Sequence, residues 1–160
     1  MLQDHLTLDR TLFEQCARTD EGVRSRVYDD ATGQTIGPGT TVKGNPTIGV
    51  GRNVGASGPG LRDSEIDSML DADAAYYDAQ AATFPWYVKL DAVRATVVAT
   101  IVFNVGLRNF STWHETHGFL EHGDYAGAAS HLLSLPWASQ VGARAQRLCD
   151  MLRLGVPIAR

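Results

Sequence analysis

The pattern of hydrophobic and polar positions divides the chain into helical stretches around one region of short strands. Leu8, Leu12, Phe13 and Cys16 recur at helical spacing behind Thr7, which can cap, so a helix is expected over 7–19. Glu21 to Tyr28 is mixed in character and ends in Asp29-Asp30. Residues 31–60 hold most of the glycines, half of the prolines and two β-type runs, Gln34-Thr35-Ile36 and Pro46-Thr47-Ile48-Gly49-Val50. That mixture predicts a small twisted hairpin or three-stranded sheet with generous turns. Helical periodicity returns over 63–80, where Asp63 or Ser64 can cap and Ile66, Met69, Leu70, Ala74 and Tyr77 form an apolar face. After a break at Pro85, Leu90 to Val105 is apolar almost all round, the pattern of a helix buried at the centre of a domain. The run is too long for one ordinary strand despite its valines. Three shorter helices are expected at about 111–121, 124–134 and 141–154, punctuated by Gly123, Pro136 and Gly142.

Strands grouped in one place and helices elsewhere predict an α+β fold rather than a wound parallel sheet. With 160 residues, 44% of them apolar, the chain can bury a real core as one domain or two small lobes. A net charge of −4 argues against nucleic-acid binding, and any basic groove for an anionic target would have to be local. No stretch is long and apolar enough to span a bilayer, and Met1 to Arg10 lacks the basic start and apolar core of a signal peptide. Synthesis as a soluble protein is therefore expected. Cys16 and Cys149 sit among apolar helical positions and read as buried free thiols, with a disulfide left open and no metal spacing around them. His114, His117, His122 and His131 crowd one region, but no carboxylate or Cys geometry supports a metal site, so solvated helix faces are expected. Trp86 and Trp113 read as packing residues.

Candidate chemistry begins with Glu21 and Asp30, separated by eight residues at the edge of the strand region. Glycoside hydrolysis needs two such carboxyls. One gives a proton to the leaving oxygen, and the other, ionised, activates water or stabilises the oxocarbenium ion. A drier site for the first and a solvated one for the second would separate their pKa values. Spacing alone does not set this pair apart from ordinary surface carboxylates.

Wider context does. The blocks Asp20-Glu21-Gly22-Val23-Arg24, Val27-Tyr28-Asp29-Asp30 and Thr47-Ile48-Gly49-Val50-Gly51-Arg52 resemble the active-site region of the phage-type lysozymes, glycoside hydrolase family 24, which includes the lysozymes of T-even phages. Leu90 to Arg94 resembles the opening of that family's central buried helix, and Ile101 to Gly106 its end. Trp137, Gln140, Arg144 and Arg147 resemble a late W-x-x-Q-x-x-x-R-A-x-R segment, so ordered matches span about 18–155. The resemblance implies a lysozyme-like fold. A small lobe at about 20–62 would join a helical lobe, 81–160, through a helix at 63–80, with 1–19 packing on the helical lobe. It implies Glu21 as general acid, Asp30 as the group that activates water or stabilises the cationic sugar, and Thr47 as a water-positioning residue. It also implies saccharide contacts from Phe103 and Asn104, and an arginine, Arg144, beside the catalytic Glu. Read as residues alone, Phe103 suits a core position, Arg144 a surface helix, and Asn104 a structural hydrogen bond as well as a substrate contact.

The activity so implied is hydrolysis, with inversion, of the β-1,4 bond between N-acetylmuramic acid and N-acetylglucosamine in bacterial peptidoglycan, by a monomer with neither cofactor nor metal. The expected setting is a phage endolysin that waits in the host cytoplasm until a holin opens the membrane; a virion-borne lysozyme is equally compatible. Alternatives are a lytic transglycosylase, against which Asp30 and the Thr strand argue, and a non-catalytic wall-binding or virion component. The chain departs from the family in its spacing. Sixteen residues separate Asp30 from Thr47 where the family has five, which reads as an extended hairpin turn over roughly 31–46. Thr35 opens a second TIGxG copy, five residues past Asp30, and competes for the water-positioning role. Thr47 is preferred because Pro38 interrupts the copy after Thr35. Arg52 replaces a family histidine, so its ion pair must differ, and the shorter Arg52–Asp63 stretch implies a trimmed small lobe.

Overall fold

The computed structural model describes residues 15, 17–20 and 22–158. Residues 15 and 17–20 are helical, while most of the helix expected over 7–19, with its packing, Cys16 and Glu21 lie outside the described residues. The chain forms two compact units, residues 1–66 and 67–160. The fold is α+β, with one small antiparallel sheet and a helical remainder.

The first unit holds the sheet: β1 (Arg24–Asp29), β2 (Pro46–Gly49) and β3 (Arg52–Asn53), in the order β1-β2-β3. β1 falls in the stretch read as mixed. Its Arg24-Ser25-Arg26 start is solvent-exposed, and only Tyr28 and Asp29 at its end are buried, so its pattern carries little strand signal. Arg24 instead lays its guanidinium over the Tyr28 ring, 4.5 Å from the centroid. Tyr28 pairs with Thr47 on one side and, through an isolated bridge, with Thr35 on the other. The β2–β3 reversal runs through Gly49 and Gly51, at φ of 69° and 68°. Glycine enters that left-handed region without steric cost, which accounts for the glycines of the TIGxG run that begins at Thr47.

Helix α1 (Asp63–Ala81) begins one residue after Arg62, whose carbonyl accepts the Glu65 and Ile66 N–H groups. Arg62, not Asp63 or Ser64, therefore holds the cap position, and the Glu65 carboxylate accepts the Arg62 N–H at 2.8 Å. The apolar face expected on this helix is open. Ile66 is 47%, Met69 53% and Leu70 62% exposed, Tyr77 is half-buried, and only Ala81 is fully buried. The 3.6-residue spacing is present, but the described residues close over the face only at its last turn.

In the second unit, α1 leads through a 3₁₀ turn (Tyr87–Lys89) into α2 (Ala92–Val105). Asp91 caps α2 by accepting the Val93 and Arg94 N–H groups. Val97, Val98, Ile101 and Val102 form the buried centre, while Phe103 on the opposite side is 52% exposed. The helix expected at about 111–121 is present as α4 (His114–Glu121), and a short extra helix, α3 (Leu107–Phe110), precedes it. Helices α5 (Tyr125–Ser134) and α7 (Ala143–Leu154) lie close to the expected ranges. Between them Pro136 opens a further short helix, α6 (Pro136–Val141). Pro is well suited to a first helical position, so it starts an element here as well as ending one. Arg94 donates to the carbonyls of Leu152 and Arg153, satisfies the end of α7, and stacks on Tyr125. Trp86 is buried, and Trp113 packs between Phe110 and Trp137. Cys149 is a buried free thiol, pushed up to about 11 by burial.

Two histidines depart from the expected solvated faces. The His117 Nε2–H donates to the Phe110 carbonyl at 2.9 Å, and its ring packs against Phe84, Trp86 and Phe110. Among the described residues the buried Nδ1 of His117 has no partner. His131 is half-buried, with Nε2 3.3 Å from a Glu115 carboxylate oxygen and Nδ1 hydrogen-bonded to the Thr116 hydroxyl at 2.8 Å. Among the described residues, no cluster of His, Cys, Asp and Glu could hold a metal ion.

Two stability outcomes follow from this packing. Ile101→Ala should cost about 2–5 kcal/mol in urea unfolding, and Leu70→Ala should stay within about 0.5 kcal/mol, because only the first leaves a cavity. Burial holds His117 below its ordinary value of 6.5, with the Phe110 bond opposing and His114 adding to the shift. The unfolded chain therefore binds the proton more readily. Stability is complete above about pH 6.5 and falls as the pH drops below it. Unfolding midpoints at about pH 7.5 and 5.5 should separate in the wild type and draw together in His117→Phe.

Candidate active site

The site in the first unit is built on two adjacent carboxylates at the end of β1. Asp29 is 1% exposed, whereas Asp30 is exposed. A buried carboxylate must be saturated with donors, and Asp29 is. Its Oδ1 accepts the N–H groups of Ala31 at 3.0 Å and Gly44 at 2.9 Å, and its Oδ2 accepts that of Lys43 at 2.8 Å. The Lys43 N–H above all, then those of Gly44 and Ala31, hold its carboxyl below the usual range against the opposing effect of burial. Asp29 thereby fastens both ends of the long turn between β1 and β2. The expected extension of the hairpin is real, but the turn folds back along β1 rather than projecting freely.

That closure delivers Gly44 and Asn45 to Asp30. The Asn45 N–H donates to Asp30 Oδ1 at 2.6 Å, and Asn45 Nδ2 donates to Asp30 Oδ2 at 3.0 Å. These two bonds, the backbone one first, keep the Asp30 carboxyl below its ordinary range, although burial and the Asp29 charge act against them. Asp30 is thus set up to be ionised and open to solvent. Glycine at position 44 is required by the close approach. A Cβ there would overlap the Asp30 carboxylate and stand 2.8 Å from the Ala31 nitrogen.

Thr47 lies on β2, is 3% exposed, and donates its hydroxyl proton to the Asn45 carbonyl at 3.2 Å. Thr35 is exposed and belongs to no named strand. Asp30 and Thr47 are therefore joined through one residue, Asn45, and Thr35 occupies the opposite edge of β1. Arg52 makes the altered ion pair: its Nη2 lies 2.5 Å from Glu65 Oε1, and its Nη1 donates to the Gly60 carbonyl at 3.1 Å. Glu65 also pairs with Arg62, at 2.8 Å.

The other three site residues belong to the second unit. Phe103 is not core. It stands on α2 edge-on to Tyr77, ring centroids 5.1 Å apart, and lines an open apolar groove of about 620 Å³ with Leu70, Ala74, Ala95 and Ala99. Asn104 accepts the Trp137 Nε1–H at 2.8 Å, so its carbonyl oxygen has a structural partner. Arg144 is half-buried in the first turn of α7. Sequence reasoning missed Asp29 and Asn45. A carboxylate ahead of a glycine-rich turn was a signal for the first, since such turns expose unpaired amides. Nothing local marked the second.

Residues 18–150 match the model of the phage lysozyme family. The chain belongs to that family. It is also 25% identical over 153 residues, 85% of this chain and 90% of the relative, to a protein of Dictyostelium discoideum described as "Probable T4-type lysozyme 2". The family makes this chain a glycoside hydrolase of lysozyme type, with peptidoglycan as the implied substrate. The match takes in Asp29, Asp30, Asn45 and Thr47. For this lysozyme, Gly44→Ala should displace Asp30, lower stability by about 1–3 kcal/mol and cut clearing of peptidoglycan suspensions on the order of 10²-fold. Turbidity assays beside thermal melts check both effects.

Proposed function

We propose that this lysozyme hydrolyses the β-1,4 bond between N-acetylmuramic acid and N-acetylglucosamine with inversion, using Glu21, Asp30 and Thr47. The observation that carries this reading is the junction of Asp30 and Thr47 on Asn45, within the stretch that matches the family. Glu21 precedes β1 by three positions and would protonate the leaving oxygen. Ionised Asp30 would take a proton from the attacking water or stabilise the sugar cation. Thr47 commits its own proton to the Asn45 carbonyl. Toward a water it then acts as an acceptor, which would help turn a lone pair of that water toward the anomeric carbon. Phe103, Asn104 and Arg144 would serve the substrate. No metal or cofactor enters this scheme. The lysozyme would act as a monomer on glycan strands, without nucleic acid.

For its setting we propose an endolysin, made in the host cytoplasm and reaching the wall once a holin opens the membrane. Among the described residues no helix is long and apolar enough to cross a membrane.

Turbidity clearing by five proteins tests the mechanism. Glu21→Gln should lose on the order of 10²–10⁴-fold in rate, the usual contribution of general acid catalysis. Asp30→Asn and Thr47→Ala should each lose substantially, and Thr35→Ala should match the wild type. Undiminished clearing by Glu21→Gln would overturn the mechanism. Anhydro-muropeptides among the products, detected by mass spectrometry, would replace hydrolysis by transglycosylation.

A further inference from the structure

Asn45 is the last residue before β2, and Pro46 after it confines its backbone to extended geometry. Its bonding with Asp30 is reciprocal. The Asp30 N–H donates to the Asn45 carbonyl at 3.1 Å, while the Asn45 N–H and Nδ2 donate to the two oxygens of the Asp30 carboxylate. The same Asn45 carbonyl accepts the Thr47 hydroxyl. The far side of the Asn45 amide is also engaged: its Oδ1 accepts the Ser57 hydroxyl at 3.1 Å. Ser57 Oγ in turn faces Asn53 Nδ2 at 3.4 Å, and Asn53 Oδ1 accepts the Gly55 N–H at 2.8 Å.

The polarity of this chain is determined from end to end. A backbone N–H can only donate, so Asn53 must present its oxygen to Gly55 and its NH₂ to Ser57. Ser57 then accepts from Asn53 and gives its own proton to Asn45 Oδ1. The Asn45 amide is left with its NH₂ toward Asp30. The chain is also tightly seated, since a Cβ at Gly58 would come 2.7 Å from Asn53 Cγ.

We propose that Asn45 is a positioning residue for the hydrolysis: locked in one amide orientation by Ser57 and Asn53, it fixes the rotamer of Asp30 and, through its carbonyl, the direction of the Thr47 hydroxyl proton. This rests on the reading of Asp30 and Thr47 as the groups that handle water. Asn45 is supplied by the turn that lengthens the Asp30–Thr47 interval, so the added segment contributes to the site. Removing the side chain leaves the backbone bonds to Asp30 in place. Asp30 then loses one of its two carboxylate bonds from Asn45, and its carboxyl should titrate higher. Asn45 has an ordinary negative φ, so alanine is tolerated there by the backbone.

The test combines ¹³C NMR titration of the Asp30 carboxyl, assigned by comparison with Asp30→Asn, with pH profiles of kcat and KM on peptidoglycan. Asn45→Ala should raise the Asp30 pKa and move the acid limb of kcat upward with it. It should lower kcat roughly tenfold with little change in KM. Asn45→Asp, isosteric but a like charge beside Asp30, should shift the titration further. Ser57→Ala leaves every backbone bond of the turn intact and should give a smaller shift in the same direction. It therefore carries the test even where Asn45→Ala fails to fold. An Asp30 titration unmoved in both Asn45→Ala and Ser57→Ala overturns the proposal, as does a uniform loss of rate at every pH with no shift. Wild-type clearing by Asp30→Asn would instead overturn the catalytic reading, and this proposal with it. The two failures are distinct, because the NMR titration reports the hold of Asn45 on Asp30 whatever the activity.

Discussion

The buried carboxylate of Asp29 closes the long turn between β1 and β2, and the site in the first unit hangs on that closure. A charge withdrawn from water needs a full set of donors, and the turn supplies three backbone N–H groups from its two ends. Each party satisfies the other, since the amides of a tight glycine-rich turn have few partners of their own. With the turn tied, Gly44 lies against Asp30, Asn45 reaches both oxygens of its carboxylate, and β2 enters opposite Tyr28. A neutral amide in place of Asp29 offers only one accepting oxygen and could not serve all three donors.

Two neighbouring aspartates are thus given different work by environment alone. Asp29 faces inward and spends its charge on main-chain amides. Asp30, one residue on, points to solvent, and both its oxygens are held by a single neighbour. Both stay ionised, for the same kind of reason, yet only one is accessible. The second unit follows the opposite logic. Its core is a continuous apolar cluster around α2, α5 and α7, and its polar interior groups are few and paired. His117 departs from this: one nitrogen is bonded, the other is buried without a partner among the described residues, and burial disfavours its charged form.

Much of this architecture was legible before any coordinates. The β run at 46–50, the valine-rich α2 and the glycine and proline stops at 123, 136 and 142 are encoded by neighbours two to four residues apart. Asp30 and Thr47 stood out as candidates because the blocks around them carry the family likeness. Other features were not. β1 is charged where it is exposed and apolar only at its end, so it has no alternating signature. The face of α1 has the right period, but period does not say whether anything covers it. His117 looked like a surface histidine because nothing in a helical repeat announces an aromatic cage.

The sequence by itself determined the α+β class, the positions of most helices, and a candidate pair of carboxylates whose meaning came from the motifs beside them. Tertiary structure alone decided which aspartate is buried, which threonine lies within a strand, and that Asn45 sits between the two water-handling candidates. The reason is physical. Helix and strand signals are local and repeat with the backbone, whereas Asp29 and Asp30 take partners 14 and 15 residues away. Such partners exist only once a turn has closed, and closure depends on how buried charge and unpaired amides satisfy each other in space.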